Sequence, residues 1–389
     1  IYTLSLHDAL PIYELCGRHP PLPAVKLAAC APSCPLDACL AAACGAAGAV
    51  DWPARLAGLQ AELLRRTLAR ARRSRFYRRQ LAAYDLNLAT PAGLSALPFT
   101  RPEALQRPED FLAVSLNEVE RMVTLRSSGT TGPPKRLAFS AGDLAQTRNF
   151  FAVGMGMLVR AGERLAVLLP GAERPDGVAD LLRQGLSAAG VFVLSPPPEF
   201  LRERDDLRLA RWLLAQRPHA MVAAPTQLAR LLAFFPQAAP PGLAGILTST
   251  EPLGAELRQR LESVWACLVL DHYGLTETCY GCALECPAHD GYHLRWLDVV
   301  VEIVDMDGDT VLPPGEVGEV VLTTLREAMP LIRYRTGDVA SLLPGPCACG
   351  SPLKRLGPVL GRIARGPDGR AHIVQPEKGA ARQVHRENL

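Results

Sequence analysis

The chain has 389 residues, of which 48% are hydrophobic and 21% charged, and its formal net charge is +3. That length allows one large or two medium domains with a substantial buried core. The charge is spread along the chain, and no apolar run reaches the ~18 residues of a membrane span. The composition therefore argues against nucleic-acid partners and against a membrane-spanning helix.

The eleven cysteines are predicted to be reduced thiols, some of them at a metal site, in a cytoplasmic protein. They fall mainly into two groups, one near the beginning of the chain and one between Cys279 and Cys349. Residues 1–34 are excluded from the fold prediction as an artefact or a disordered segment, because residues 3–12 resemble a translated sequencing adapter.

The predicted elements begin with an amphipathic helix between Pro53 and Ala83, where leucines recur at helical spacing among arginines. A connector then leads to a strand at 119–125 and to a loop rich in serine, threonine and glycine. Beyond this loop strands and helices alternate, which predicts an α/β fold with a parallel sheet covered by helices. The strands are predicted at 164–169, 191–195, 219–223, 245–249 and 267–273, and the helices at 177–189, 207–216, 226–234 and 253–264.

The pattern changes from residue 297 to short strands joined by turns, which predicts a β-rich subdomain at 297–345. Its strands are predicted at 299–305, 318–323 and 331–334. After Arg370 the sequence has neither helical nor strand periodicity, so no regular element is expected there.

The loop after the first predicted strand reads SSGTTGPPK. Its glycines allow backbone N–H groups to turn toward a ligand, its hydroxyl groups donate further hydrogen bonds, and its lysine contributes a positive charge. These groups can cradle a polyphosphate, although the spacing is not that of a Walker A loop. The predicted phosphate-binding residues are Ser127, Ser128, Gly129, Thr130, Thr131, Gly132 and Lys135.

Further polar motifs follow in a fixed order. YGLTE at 273–277 ends a predicted strand and offers an aromatic face, a hydroxyl group and a carboxylate. STE at 249–251 lies one helix upstream, and by itself it is typical of a helix N-terminus. RYRTGD at 333–338 ends in an aspartate, a bidentate hydrogen-bond acceptor, and GR follows at 361–362.

Together these motifs resemble the adenylate-forming superfamily of acyl-CoA synthetases, peptide-synthetase adenylation domains and luciferases. TTLREAMPLIRYRTGD, the CACG that follows it and the EC-x6-H that precedes it resemble the phenylacetate–CoA ligase branch. The resemblance covers residues 35–362 as an AMP-binding domain with helix-covered parallel sheets and a β-rich subdomain. It implies ATP/AMP, Mg²⁺ and coenzyme A as ligands, with a small carboxylic acid and CoA as the partners.

The resemblance also implies a role for individual residues. Tyr273 would stack on adenine, Thr276 would bond the α-phosphate and Glu277 would hold Mg²⁺. Asp338 would accept hydrogen bonds from both ribose hydroxyls, and Arg362 would approach ribose or phosphate. The predicted catalytic residues are Lys135, Thr276 and Glu277, and the other predicted nucleotide contacts are Ser249, Thr250, Glu251, Tyr273, Gly274, Arg335, Asp338 and Arg362.

A second candidate site consists of cysteines and one histidine. Zinc binds thiolate and imidazole in a closed tetrahedron, and such sites hold together loops that lack a core of their own. Ordinary buried cysteines are an alternative, and so is an iron–sulfur cluster that would include Cys279 and Cys282 but lacks a fourth ligand at similar spacing. His289 is an alternative to His293. The predicted zinc ligands, which the resemblance supports, are Cys286, His293, Cys347 and Cys349.

The implied function is ATP-dependent activation of a carboxylate to an acyl- or aryl-adenylate, which then gives a CoA thioester. Transfer to a carrier-protein thiol or another acceptor is an alternative, and so is a nucleotide-binding protein without turnover. Residues 363–389 are predicted to be a truncated or unrelated tail in place of the family's lid domain, so turnover is expected to be slow or absent. The acid is not identified, although Pro225, Thr226, His272 and Gly274 are expected near it, and a homodimer is left open.

Overall fold

The structure is a computed structural model that describes residues 34–86, 90–125, 135–169, 171, 174–175 and 177–375. In this part of the chain the helices are α1 (Pro35–Ala43), α2 (Trp52–Ala71), α3 (Arg75–Gln80), α4 (Ala141–Met155), α5 (Val178–Leu186), α6 (Pro198–Arg202), α7 (Asp206–Gln216), α8 (Pro225–Leu231) and α9 (Ala255–Trp265). The strands are β1 (Val119–Leu125), β2 (Lys135–Ser140), β3 (Arg164–Val167), β4 (Phe192–Leu194), β5 (Ala220–Ala223), β6 (Gly245–Thr248), β7 (Leu268–Tyr273), β8 (Ala283–Glu285), β9 (Tyr292–Leu294), β10 (Val299–Val304), β11 (Gly318–Thr324), β12 (Tyr334–Ala340), β13 (Leu342–Leu343), β14 (Arg355–Leu356), β15 (Gly361–Arg365) and β16 (Ala371–Val374).

A nine-stranded sheet has the order β13-β14-β9-β8-β7-β6-β5-β3-β4. The half formed by β7, β6, β5, β3 and β4 is parallel, which confirms the predicted parallel sheet. The other half, β8, β9, β14 and β13, is antiparallel. Because parallel strands run in the same direction, the loops that follow β6 and β7 leave the same edge of the sheet.

Helices cover both faces of the parallel half. Successive side chains of a strand point to opposite faces, and β5 shows this clearly. Met221 packs into a core with α7, α8 and α9, whereas Val222 packs into a core with α4 and α5. Both residues are buried, which explains why this strand reads as a continuous apolar run rather than as an alternating one.

A second, five-stranded antiparallel sheet has the order β10-β11-β12-β15-β16 and confirms the β-rich character predicted after residue 297. The strand predicted at 331–334 is misplaced, because β12 begins at Tyr334. Leu331 and Ile332 are fully buried core residues before the strand. Thr100 pairs with the backbone here, since its N–H donates to Arg333 and its carbonyl accepts from Arg335.

The β15–β16 hairpin corrects the expectation that no element follows Arg370. Residues 371–374 pair with 362–365 across a turn in which Gly366 N–H donates to the Arg370 carbonyl. Most of the β16 side chains are exposed. Backbone pairing rather than side-chain burial therefore forms this strand, and for that reason the hydrophobic pattern does not reveal it.

The buried guanidinium of Arg326 connects elements of both sheets. It is 1% exposed, and it donates hydrogen bonds to the carbonyl of Asp143 in α4 and to the carbonyl of Thr278 after β7. It also forms an ion pair with Asp298, just before β10, at 3.3 Å. A buried charge is tolerated only when it is paired and hydrogen-bonded, so these contacts are needed to keep Arg326 inside the protein.

Replacing Arg326 with methionine should lower the stability by about 3–5 kcal/mol, because the buried carboxylate of Asp298 would keep only one of its two counter-ions, Arg295, and the carbonyls that Arg326 binds would lose their donor. The measurement is the midpoint of urea unfolding of the whole chain. Arg211→Met, at an exposed position of α7, is the matched control and should change the midpoint very little. Equal midpoints for the two variants would contradict the role given to Arg326.

Candidate nucleotide site and cysteine–histidine cluster

Two of the predicted nucleotide motifs meet through their side chains. The hydroxyl of Tyr273 donates a hydrogen bond of 3.0 Å to Oδ2 of Asp338. Nε of Arg362 lies 3.3 Å from Oδ1 of the same carboxylate, and its Nη2 donates to the carbonyl of Thr336. Burial and the Asp338 carboxylate raise the pKa of Tyr273 well above its usual value, so the phenol keeps its proton and remains a donor.

The same two motifs meet at a second point. The hydroxyl of Tyr334 donates a hydrogen bond of 2.9 Å to Oε1 of Glu277. Glu277 is buried, and Thr276 before it is half-buried at the start of a 3₁₀ turn. Sequence reasoning missed Tyr334, although its place inside RYRTGD was an available signal. Tyr334 therefore orients Glu277, the predicted metal-binding carboxylate. Tyr334 belongs to the same RYRTGD motif as Asp338, the predicted ribose acceptor.

The loop after β6 holds the predicted adenine-side residues. Ser249 Oγ lies 3.4 Å from Nδ1 of His272. The carboxylate of Glu251 accepts hydrogen bonds from the N–H and the hydroxyl of Thr226, at 3.2 and 3.0 Å. Thr250 has φ +76°, a backbone conformation that favours glycine and fixes a sharp bend. The structure thus places this loop against the start of α8 and the end of β7.

Gly274 stands where no side chain fits. A Cβ there would lie 2.7 Å from Cε1 of His272 and 2.8 Å from the carbonyl of Tyr280. The ring of His272 also packs 5.9 Å from that of Phe150. Burial lowers the pKa of His272 to about 4, so the imidazole is neutral at pH 7. A role for His272 in binding the acid stays a prediction.

Arg335 points away from this group of residues. Its guanidinium forms ion pairs with Glu319 at 2.6 Å and with Asp309 at 3.2 Å, and it lies over the ring of Phe99 at 4.9 Å. These contacts hold the turn between β10 and β11. The nucleotide contact of Arg335 stays a prediction, and nothing in this arrangement is aimed at Asp338.

The predicted phosphate loop lies outside the described residues. This applies to Ser127, Ser128, Gly129, Thr130, Thr131 and Gly132. Lys135 is the first residue of β2, and its side chain is likewise outside the described part of the structure. The two strands that border the loop, β1 and β2, form an antiparallel pair that fixes where the loop leaves and re-enters the fold.

The four predicted zinc ligands converge on one point. Their ligand atoms all lie within 4.8 Å of one another, and all four side chains are buried. The Sγ atoms of Cys286 and Cys347 are 3.8 Å apart, and Sγ of Cys349 is 3.6 Å from Nε2 of His293. In tetrahedral zinc sites with Zn–S bonds of ~2.3 Å and Zn–N bonds of ~2.0–2.1 Å, the sulfur–sulfur edge is ~3.8 Å and the sulfur–nitrogen edge is ~3.5–3.6 Å. The donor set and both measured edges therefore fit zinc.

The alternative ligands are engaged elsewhere. His289 contacts Arg258 and Glu262. Cys279 and Cys282 are buried in other parts of the core, and neither belongs to the converging group found among the described residues. Burial raises the pKa of Cys279 to about 11, as expected for a thiol that packs as an apolar side chain. This arrangement disfavours the Cys279–Cys282–Cys286 spacing as a cluster motif.

No helix in the described part of the chain combines the length and the apolar character that crossing a bilayer requires.

Comparison with known sequences identifies relatives over most of the chain. The sequence profile of the family described as "AMP-binding enzyme" matches residues 27–325. The phenylacetate-coenzyme A ligase of Thermus thermophilus is 32% identical over 326 residues, which are 79% of this chain and 70% of the relative. That of Pseudomonas putida is 31% identical over 300 residues, 74% of this chain and 65% of the relative. That of Escherichia coli is 28% identical over 327 residues, 79% of this chain and 71% of the relative.

Comparison with solved structures confirms the fold. The crystal structure of 2-hydroxyisobutyryl-CoA ligase in the postadenylation state superposes with a TM-score of 0.68 at 21% identity, covering 82% of this chain and 71% of that one. Together with the family profile and the relatives, this likeness agrees with the predicted adenylate-forming fold. The chain therefore belongs to the AMP-binding enzyme family, in its adenylate-forming, phenylacetate-coenzyme A ligase-like branch.

Proposed function

We propose that this chain activates a small carboxylic acid with ATP and transfers the acyl group to coenzyme A. The observation that carries the proposal is that Asp338 joins Tyr273 by a hydrogen bond and Arg362 by an ion pair, in a member of the AMP-binding enzyme family. Phenylacetate is the first acid to test, since the three ligases compared above bear its name.

The proposed reaction has two steps. A carboxylate oxygen of the acid bonds to the α-phosphorus of ATP, and the bond from that phosphorus to the pyrophosphate oxygen breaks, which gives the acyl-adenylate. The thiol sulfur of CoA then bonds to the acyl carbon, AMP leaves with the bonding electron pair, and the thiol proton passes to solvent. In both steps the protein mainly has to align the reactants and stabilise charge.

The residues of the site divide these tasks. The carboxylate of Asp338 would accept hydrogen bonds from the ribose hydroxyls and replace its present contacts with Tyr273 and Arg362. The ring of Tyr273 would then cover the adenine. Glu277, oriented by Tyr334, would hold Mg²⁺, which when bound would neutralise phosphate charge. The loop at 127–132 and Lys135 would bind the β- and γ-phosphates.

The cysteine–histidine cluster is proposed to hold a structural zinc ion. Its support is the four-ligand convergence and the two edges that match a tetrahedral site. It joins the loop after β8, the strand β9 and the loop before β14, so it would hold the antiparallel half of the large sheet together.

A cytoplasmic location and a homodimer remain predictions from the sequence.

The proposed function is tested by ATP–pyrophosphate exchange that depends on a carboxylic acid. Labelled pyrophosphate should appear in ATP when phenylacetate or another acid of a mixed aryl and aliphatic pool is present, and not without an acid. Thioester formation with CoA is then measured with the acid that supports exchange. Exchange that is absent with every acid, although the chain binds Mg-ATP, would overturn the catalytic proposal.

A further inference from the structure

A buried carboxylate behind the nucleotide site makes contacts that the proposed reaction does not use. Asp271 is 2% exposed and lies in β7, two residues before Tyr273. Its Oδ1 accepts a hydrogen bond of 2.5 Å from the hydroxyl of Thr248, and its Oδ2 accepts one of 2.7 Å from the hydroxyl of Tyr292. Burial raises the pKa of Asp271 to about 6, and these donors oppose the rise.

A second carboxylate extends the network on the other side. Glu285 accepts a hydrogen bond of 2.9 Å from the backbone N–H of Asp271. It also forms an ion pair of 2.8 Å with Arg258 in α9. Arg258 in turn donates a hydrogen bond of 2.6 Å to the carbonyl of Val269 in β7. Two buried acids and one arginine thus fix β7, β8 and α9 relative to one another.

The position of these partners in the sequence gives the network its significance. Tyr292 immediately precedes His293, and Glu285 immediately precedes Cys286. Two of the four cluster residues therefore directly follow, in the chain, a residue whose side chain binds Asp271. Thr248 immediately precedes Ser249, where the predicted adenine-side loop begins. The network therefore reaches both the cluster and the nucleotide loop through single peptide bonds.

We propose that Asp271 is a positioning residue that couples metal binding at the cysteine–histidine cluster to nucleotide binding at the loops after β6 and β7. A metal ion fixes the positions of Cys286 and His293, hence those of Glu285 and Tyr292, and through Asp271 it fixes the ends of β6 and β7. Buried hydrogen bonds are suited to this role because an alternative arrangement would leave polar atoms unpaired. The inference rests on the proposed function, since it assumes that these loops bind the nucleotide.

The test measures the coupling directly, with Zn²⁺ and AMP as probes. The zinc affinity of the whole chain is determined by competition with a chromophoric chelator, with and without saturating AMP. AMP should raise the zinc affinity about tenfold, and by linkage zinc should raise the AMP affinity by the same factor. In Tyr292→Phe, which removes only the hydroxyl that binds Asp271, the factor should fall below about twofold while one zinc per chain is still bound.

Thr248→Val breaks the other end of the network and should lose the coupling in the same way, so it serves if Tyr292→Phe fails to fold. Tyr84→Phe, at a half-buried tyrosine outside the network of Asp271, is the matched control and should keep the wild-type factor. The inference is overturned if the wild-type chain binds AMP but AMP leaves the zinc affinity unchanged, if no zinc is bound, or if the network variants keep the factor. A wild-type chain that binds no AMP would overturn the proposed function itself.

Discussion

Replacing Asp338 with alanine should lower acid-dependent ATP–pyrophosphate exchange by about 10²–10⁴-fold, through both a weaker affinity for ATP and a slower reaction. Two hydrogen bonds from ribose to a carboxylate would be lost, each contributing roughly 1.5–3 kcal/mol. Before the nucleotide binds, Tyr273 and Arg362 would also lack the carboxylate that holds them in place. The measurement is kcat/KM for ATP in the exchange assay.

Asp309→Ala is the matched control for Asp338→Ala. Its side chain is 73% exposed in the same β-rich region, and it contacts Arg335 rather than the nucleotide group. Exchange by the control should stay close to wild type, and thermal melting should show that both variants are folded. A folded Asp338→Ala chain with nearly wild-type exchange would remove the central residue from the proposed site.

Replacing Cys349 with serine should abolish stoichiometric zinc binding and lower the melting temperature by roughly 3–6 °C. The entropy of unfolding grows with chain length, so a chain of 389 residues loses only about 1 °C per kcal/mol. Loss of the metal from the three remaining ligands should cost a few kcal/mol in the folded state. The measurements are zinc content by mass spectrometry and thermal unfolding. Chelation of the wild-type chain should reproduce the lower melting temperature.

Cys267→Ser is the control for this experiment, because Cys267 is a buried cysteine that packs under α9, outside the cluster. It should keep one zinc per chain and melt close to the wild type. A wild-type chain purified with zinc present that holds none would contradict the metal assignment. The same conclusion would follow if Cys349→Ser retained the full zinc content.

Local patterns predicted the parallel half of the large sheet because each of its strands is a short apolar run between turn signals. They failed where tertiary contacts decide the structure. Leu331 and Ile332 look like a strand, yet they are buried before β12 begins, since a short apolar run alone does not separate strand from packed loop. The hairpin strand β16 was missed because backbone pairing, not burial, defines it.

The candidate site was predicted in part for a similar reason. Motif spacing brought Tyr273, Glu277 and Asp338 into one hypothesis, and the structure joins Tyr273 to Asp338 by one hydrogen bond and Glu277 to Tyr334, of the motif that contains Asp338, by another. The partners of Asp271 lie 21 and 23 positions away in the sequence, and no short pattern links them. Residues that act through such distant contacts become visible only when the fold has brought their strands together.

The position of the cysteine–histidine cluster also has a consequence for the order of folding. His293 in β9 pairs with Arg355 in β14, and the whole of β10, β11 and β12 lies between them in the sequence. Closing such a long loop is entropically costly until the intervening strands have formed their own compact sheet. We therefore expect the cluster to assemble late, so that uptake of metal by a refolding chain would report that β10, β11 and β12 have formed.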